Sequence, residues 1–374
     1  MMFLFTSMII AYGILIGSFG YGFSRVKSFK VATKKAKTKF TIVIPFRNEA
    51  KNLSQLLASI YSLNYPKTLF EVILVNDDSE DDSVKLIQHL TKNQNVDLKV
   101  IPNERHSNSP KKDAITSCIR QSKYEWIITT DADCVLPEFW LDSYDAFIQK
   151  TDSYCIAGPV TYHEKESFLN RFQCLDVLSL QGATIGGFGL NTPFMCNGAN
   201  FAYKKSLFAE VSGFEGNSNI ASGDDLFLLE KALNKQANRV NYLKCDAAIV
   251  KTNAQENWKQ LISQRVRWAA KTTAYKNGFG KITGVLVFAT NLLLVIGLIL
   301  SLFDLFSFKN LGITFILKCG IDFYLLYKTA HFFKQTSILK NFIISAFLYP
   351  FFSVYVAFMA LFSNYSWKGR TFKR

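Results

Sequence analysis

Apolar residues fall along this chain in two rhythms. In the first they run on uninterrupted: residues 1–24, 282–303 and 341–367 contain no charged side chain. About 20 apolar residues cross the hydrocarbon layer of a bilayer, so segments 1–24, 282–303 and 341–363 each predict a membrane span. Segment 310–327 is apolar except for Lys318 and Asp322. Four apart, these two pair on one face of a helix, and the segment reads as a further span, complete or shallow. Residues 1–24 show neither the basic start nor the small-residue cleavage site of a secretion signal, which predicts a retained N-terminal anchor.

In the second rhythm, between residues 40 and 160, short apolar runs alternate with helix-period stretches. "FTIVIP" (40–45), "FEVILVN" (70–76), "LKVIP" (98–102) and "EWIITTD" (125–131) read as strands. They are continuous rather than alternating, as in a parallel sheet covered on both faces. Segments 49–63, 79–92 and 110–123 predict the intervening helices. A βαβ series of this kind predicts an α/β, Rossmann-like, mostly parallel sheet, which binds ligands beyond the carboxyl ends of its strands. Those ends are polar: "FRNE" follows the first strand, "NDDSEDDS" the second and "DADC" the fourth. From 160 to 280 the pattern changes to longer helices, short strands and a glycine-rich loop, "GATIGGFGLNTPFMCNGAN". Segment 255–277, rich in Trp, Arg and Lys, predicts a helix at the membrane surface.

Composition sharpens this picture. Of 374 residues, 49% are hydrophobic and 19% charged, with a net charge of +14. Much of the excess flanks apolar segments: Arg25, Lys27, Lys30, Lys34, Lys35, Lys37 and Lys39 after the first, and four basic residues in the tail "WKGRTFKR". That placement favours anionic lipid over nucleic acid as the partner. By the positive-inside rule, the region from the first basic run to residue 281 is cytoplasmic. Four full spans would then leave the basic tail outside, so one of them is expected only to skim the surface. Seven cysteines without C-x-x-C pairs predict reduced, mostly buried thiols rather than a zinc site.

The candidate chemistry is acidic. Asp131 and Asp133, i and i+2, point the same way in an extended chain and need a cation between them. Oxygen-only ligands suit Mg²⁺ or Mn²⁺, completed by a substrate's phosphates. A loop of solvated acids has the same pattern. Asp77, nearest its strand, reaches the crevice, whereas Asp78, Ser79 and Asp81 read as helix caps. Glu49 is either a crevice residue or a first-turn acid. Lys111 is a phosphate contact, a base or a solvated lysine. Asp224 and Asp225 precede an amphipathic helix as caps or as a general base. Gln264, Arg267 and Trp268 share one helix face, which suits a diphosphate and a sugar ring, or a snorkelling interfacial helix.

In this order, "IPFRNE", "VNDDS", "TDADC", "CNGANFAY", "SGDD" and "QRVRW", with "WKGR" near the C-terminus, resemble the membrane-bound family 2 glycosyltransferases of GT-A fold. The resemblance covers about residues 40–270. It implies a GT-A domain over 40–280, with a nucleotide-binding half (40–160) and an acceptor half (160–280), followed by membrane segments over 282–367. It implies that Glu49 and Asp77 hold the uridine or ribose of a nucleotide sugar, with Lys111, Gln264 and Arg267 also on the donor side. It places Asp131 and Asp133 on a Mn²⁺ or Mg²⁺ at the diphosphate, Asp225 (or Asp224) as the base, and Trp268 and Asn197 at the acceptor. Two positions depart from the family pattern: Asn76–Asp77 stands for a double aspartate, and Asp224–Asp225 for Glu-Asp. The expected function is inverting transfer from a UDP-linked sugar to a membrane lipid or glycan, in a bacterial inner membrane. A processive polysaccharide synthase is the alternative. A non-catalytic scaffold would not need the metal, base and Q-x-x-R-W positions, and a sugar nucleotidyltransferase would not need the membrane-proximal Trp helix.

Overall fold

The computed structural model describes all residues except Met1, 32–34, Asn93, Asn219, Ala221, 271–274, 363–364, 368–369 and 373–374. Lys34 of the basic run, part of segment 255–277 and the Lys368–Gly369 pair of the tail motif therefore lie outside the described residues. The chain begins with α1 (Met2–Arg25), β1 (Phe40–Phe46), α2 (Ala50–Tyr61), β2 (Phe70–Asn76), α3 (Ser83–Thr91) and β3 (Asp97–Pro102). Next come α4 (Pro110–Gln121), β4 (Trp126–Thr129), β5 (Cys134–Val135), α5 (Trp140–Ile148), β6 (Cys155–Ala157) and β7 (Val160–Tyr162). The long α6 (Phe168–Gly189) leads to β8 (Phe201–Lys204), α7 (Lys205–Glu210), α8 (Asp224–Gln236), β9 (Val240–Tyr242), β10 (Val250–Thr252) and α9 (Trp258–Ala270). The chain closes with α10 (Gly278–Leu302), α11 (Phe308–Phe332), α12 (Phe342–Phe362) and a hairpin of β11 (Tyr365–Trp367) and β12 (Arg370–Phe372).

Seven strands form the main sheet in the order β3-β2-β1-β4-β8-β6-β9. The first four are mutually parallel, and β8 is antiparallel to both β4 and β6. Val43, Ile73 and Ile127 enter one buried cluster, while Ile42, Ile44, Val72, Leu74 and Ile128 enter the other. Alternate side chains thus meet two apolar layers, which is why these strands read as unbroken apolar runs. Parallel order brings the carboxyl ends of β1, β2 and β4 side by side, so three separate sequence motifs meet at one edge.

One expected loop begins as a helix. The first eight residues of "GATIGGFGLNTPFMCNGAN" belong to the last turns of α6, which lies between the sheet and the apolar helices. Its glycines are there for close packing. A Cβ on Gly186 would sit 2.6 Å from the Phe19 carbonyl oxygen, and one on Gly182 would sit 2.5 Å from Thr329 Oγ1. A helix can tolerate glycine where a second backbone comes this near. The sequence pattern of glycines alone does not distinguish such a contact from a loop.

Four helices among the described residues, α1, α10, α11 and the stretch ending in α12, are long and apolar enough to cross a membrane. Helix α11 runs beside α1 in the same direction: Asn310 lies at Met2, and the Lys328 ammonium donates to Ser24 Oγ. Helix α10 runs the opposite way, with Gly297 against Phe5 and Phe279 against Phe19. Helix α12 differs. Its start follows a turn that bonds to the sheet domain through Ser337–Glu164 and Arg171–Asn341. Its far end, Val356 and Ala360, packs on Val266 of α9, and β11 also lies against α9. Both ends of α12 therefore touch the domain.

The α1–α6 contact yields a prediction. Gly186→Val puts a branched side chain against the Phe19 backbone, an overpacking that costs about 1–3 kcal/mol. Thermal unfolding of the purified protein is expected to show a clearly lowered Tm. An unchanged Tm would mean that this contact does not seat the sheet on the helices.

Candidate active site

A single cavity of about 1730 Å³ runs from the carboxyl edge of the sheet, past α8 and α9, to the walls formed by α10 and α12. Glu49, Asp77, Lys111, Asp131, Asp133, Asn197, Asp224, Asp225, Gln264, Arg267 and Trp268 all line it. The structure thus brings every sequence-identified candidate to one space, at different depths and with different partners.

At the sheet edge, the loops after β1 and β2 are bonded together. Arg47 Nη1 donates to the Asp77 carbonyl at 2.8 Å, and its Nη2 pairs with Glu80 at 2.7 Å. Asn48 and Asp78 both adopt left-handed backbone, with φ of 53° and 54°. Asn and Asp tolerate that region better than most side chains, which lets both loops turn sharply. Asp81 accepts from the Ala50 and Ser83 amides, the capping use expected of this acidic run. Glu49 stands at the start of α2 and accepts from Asn52 Nδ2 at 2.7 Å. Asp77 is buried, and its Oδ1 accepts from Asn103 Nδ2 at 2.7 Å and Arg105 Nε at 2.8 Å. Arg47, Asn103 and Arg105 complete this edge, and the acidic motifs alone do not single them out. "NER" follows the third strand as directly as the other motifs follow theirs, and that signal was available.

Asp131 and Asp133 do not sit on an extended strand. β4 ends at Thr129, the Thr130 amide bonds back to Val43, and a tight turn closes with the Cys134 amide on the Asp131 carbonyl. Both side chains still line the cavity. Burial in the cleft, then the neighbouring charges of Asp131 and Glu49, push the Asp133 carboxyl up to about 6. Asp131 already has a cation: Lys111 Nζ lies 2.7 Å from it and 3.4 Å from Asp224. Burial disfavours the charged ammonium, but Asp131 and Asp224 outweigh that effect and hold its pKa above the ordinary lysine value. Lys111 is thus a bridge between the acidic turn and the α8 acids, which spacing along the chain did not reveal.

Gly223, at φ 83°, turns the chain into α8, so Asp224 and Asp225 occupy its first turn instead of preceding it. Asp225 is oriented at both oxygens, accepting from the Gly198 amide at 2.9 Å and the Leu226 amide at 2.8 Å. A Cβ on Gly198 would come within 3.1 Å of Asp224 Oδ2, so glycine keeps the "CNGAN" turn against these acids. Asn197 caps that turn by accepting from the Ala199 amide.

Across the cavity, α9 is clamped by a residue its motif did not single out. Arg265 and Asp176 of α6 are about nineteen-twentieths buried and paired at 2.6 Å, and Tyr349 of α12 donates to the other Asp176 oxygen. The Arg265 guanidinium stacks over the Trp268 ring at 4.2 Å and also donates to Gln264. Arg265 lies off the Gln264–Arg267–Trp268 face in an ideal helix, so periodicity pointed away from it.

Among the described residues, no three His, Cys, Asp or Glu side chains form a ready ligand shell. The donor set still fits a hard divalent cation. Two carboxylates face one cleft, and burial, with the neighbouring Asp131 and Glu49 charges, raises the Asp133 pKa, so a cation would relieve the repulsion.

The model of the family described as glycosyl transferase family 2 matches residues 41–212. Among curated relatives, a poly-beta-1,6-N-acetyl-D-glucosamine synthase of Staphylococcus epidermidis is 25% identical over 274 residues, covering 68% of this chain and 61% of that protein. A probable glycosyltransferase of Bacillus subtilis, YdaM, is 27% identical over 240 residues, covering 62% of this chain and 54% of its own length. The chain thus matches less than two thirds of the length of these relatives. Among solved structures, the mannosyltransferase PcManGT of Pyrobaculum calidifontis, in complex with GDP-Man and Mn²⁺, has a TM-score of 0.54 at 15% identity. That likeness covers 96% of this chain and 99% of the other, and shows a shared fold. Residues 41–212 thus match glycosyl transferase family 2, and the likeness to PcManGT shows a GT-A-like fold.

Proposed function

We propose that the protein transfers a sugar, with inversion, from a nucleotide diphosphate sugar to a hydroxyl of a membrane lipid. The observation that carries this reading is the continuity of one cavity, from the acidic sheet edge to apolar walls such as Phe288, Leu325, Phe352, Val356 and Ala360. A hydrocarbon chain is compatible with such walls, and a hydrated polymer is not. The Staphylococcus relative named for a polysaccharide favours the second reading, a processive synthase, and the two differ in product length.

In this proposal Glu49 and Asp77 contact the nucleoside, with Arg105 and Asn103 fixing the Asp77 carboxylate. A uridine diphosphate donor is the first candidate. Lys111, Gln264 and Arg267 face the phosphates, and Trp268 and Asn197 the acceptor. Asp131 and Asp133 would hold Mn²⁺ or Mg²⁺, which when bound supplies charge neutralisation at the diphosphate. Asp225, oriented by two amides, takes the proton of the acceptor hydroxyl as its oxygen bonds to the anomeric carbon. The bond from that carbon to the diphosphate oxygen breaks with its electron pair on the diphosphate, so an α-linked donor gives a β-product. Asp224, paired with Lys111, supports the charge balance instead.

The packing of α12 also bears on topology. If α1, α10 and α11 cross the bilayer and α12 lies along the domain's membrane face, the tail stays with the domain. The basic runs at 25–39 and in the tail then share one side, and the positive-inside rule assigns that side to the cytoplasm of a bacterial inner membrane.

Five outcomes are expected. Purified protein given a panel of UDP- and GDP-sugars, Mn²⁺ and membrane lipid should release nucleoside diphosphate and form a lipid-soluble product; a long water-soluble polymer would favour the synthase. Asp133→Asn should abolish turnover, and Asp225→Asn should lower kcat by about 10²–10⁴-fold with Mn²⁺ binding retained. Because a proton competes with the ion for Asp133, Mn²⁺ affinity measured by calorimetry should be level above pH 6 and fall below it, by up to about tenfold per unit. Finally, reporter fusions after residues 335 and 374 should both read cytoplasmic and one after 308 external; an external 374 fusion would show that α12 crosses.

A further inference from the structure

The first turn of α4 carries two adjacent lysines that face different ways. Lys111 lines the cavity, whereas Lys112 is 1% exposed and forms no part of the lining. Burying an ammonium is costly, and the positive end of a helix macrodipole disfavours a cation further. The surroundings of Lys112 offset both effects. Its Nζ donates to the Asn217 carbonyl at 2.7 Å and to the Ile220 carbonyl at 2.8 Å. The ammonium also lies 4.6 Å from the centre of the Phe227 ring and 6.0 Å from that of Phe214, within reach of cation–π attraction.

These partners bracket one turn of the chain. Asn217 and Ile220 stand before Gly223, the left-handed residue that leads into α8, and Phe227 stands after it. The Phe227 amide bonds back to the Gly223 carbonyl at 3.0 Å and closes the first turn of the helix. Asp224 and Asp225 are both in that turn. Lys112 thus grips the chain on either side of the two acids, while Lys111 meets Asp224 from the cavity at 3.4 Å.

We infer that Lys112 is a positioning residue for Asp225: it fixes the direction in which the chain enters α8, and with it the place of the carboxylate. This rests on the reading of Asp225 as the base that takes the acceptor proton. Buried away from the cavity, Lys112 acts only through the turn. The Gly198 and Leu226 amides orient the Asp225 oxygens, and Lys112 sets where the backbone of that aspartate stands. A base must lie within hydrogen-bond reach of its proton, and a small displacement is enough to slow the reaction. Asp77, Asp131 and Asp133 follow β2 and β4, so they keep their places when this turn shifts.

The test uses the full chain in detergent micelles, with whichever UDP- or GDP-sugar of the panel supports turnover. Lys112→Met keeps the apolar stem and removes the ammonium. It is expected to lower kcat about 10–100-fold, with the KM for the donor and the calorimetric affinity for Mn²⁺ unchanged. Hydrogen exchange over 217–227 should quicken, with β1, β2 and β4 as protected as before. Phe227→Leu keeps the lysine and both carbonyl bonds but removes the ring, and should lower kcat several-fold with the same unchanged KM. Where Lys112→Met folds, it decides; where it does not, Phe227→Leu decides. An unchanged kcat in the deciding variant, or a donor KM that rises in step with the loss of kcat, would overturn the inference. So would unchanged exchange over 217–227. If no donor supports turnover in the parent protein, the transfer reading falls, and quickened exchange confined to 217–227 would still leave the hold on this turn standing.

Discussion

The close approach of α6 to α1 sets how far the sheet stands from the apolar helices. Gly186 lies on the Phe19 backbone and Gly182 on Leu325 and Thr329 of α11. With side chains at these positions α6 would stand farther off, and the helices would no longer continue the walls of the crevice. The opposite face of α6 joins the sheet's own apolar cluster, so one helix belongs to both cores. A reaction between a soluble nucleotide sugar and a lipid needs such a seam, because its two substrates come from different solvents.

On top of that packing lies a chain of charge. Lys111 links Asp131 to Asp224, and Arg265 links α9 to Asp176, whose second oxygen binds Tyr349 of α12. Buried pairs of this kind contribute little net stability, because desolvation offsets most of their attraction. Their effect is positional. Breaking one partner leaves an unmatched charge in the wall of the cavity, so the alternatives to this arrangement are costly.

Much of the acidic sheet edge could be read along the chain, since each motif follows its strand directly and parallel order places strand ends together. Asp77, Asp131 and Asp133 were found that way. Arg105 and Asn103 follow β3 by the same rule, but they carry no acidic signal. Arg265 and Asp176 were not legible: 89 positions separate them, and nothing in local spacing brings them together. The glycine-rich segment misled for a related reason, since glycine favours a loop locally and close helix packing only when a partner backbone is present.

The sequence by itself determined the class of fold, the apolar helices and the acidic edge, because these rest on periodicity and on residues adjacent to their elements. Only the tertiary structure decided which cation meets which carboxylate, that α12 lies along α9, and that the sheet-edge crevice and the apolar chamber are one space. These depend on distances between segments far apart in the chain. Such distances are set by the packing of whole faces, which no local pattern records.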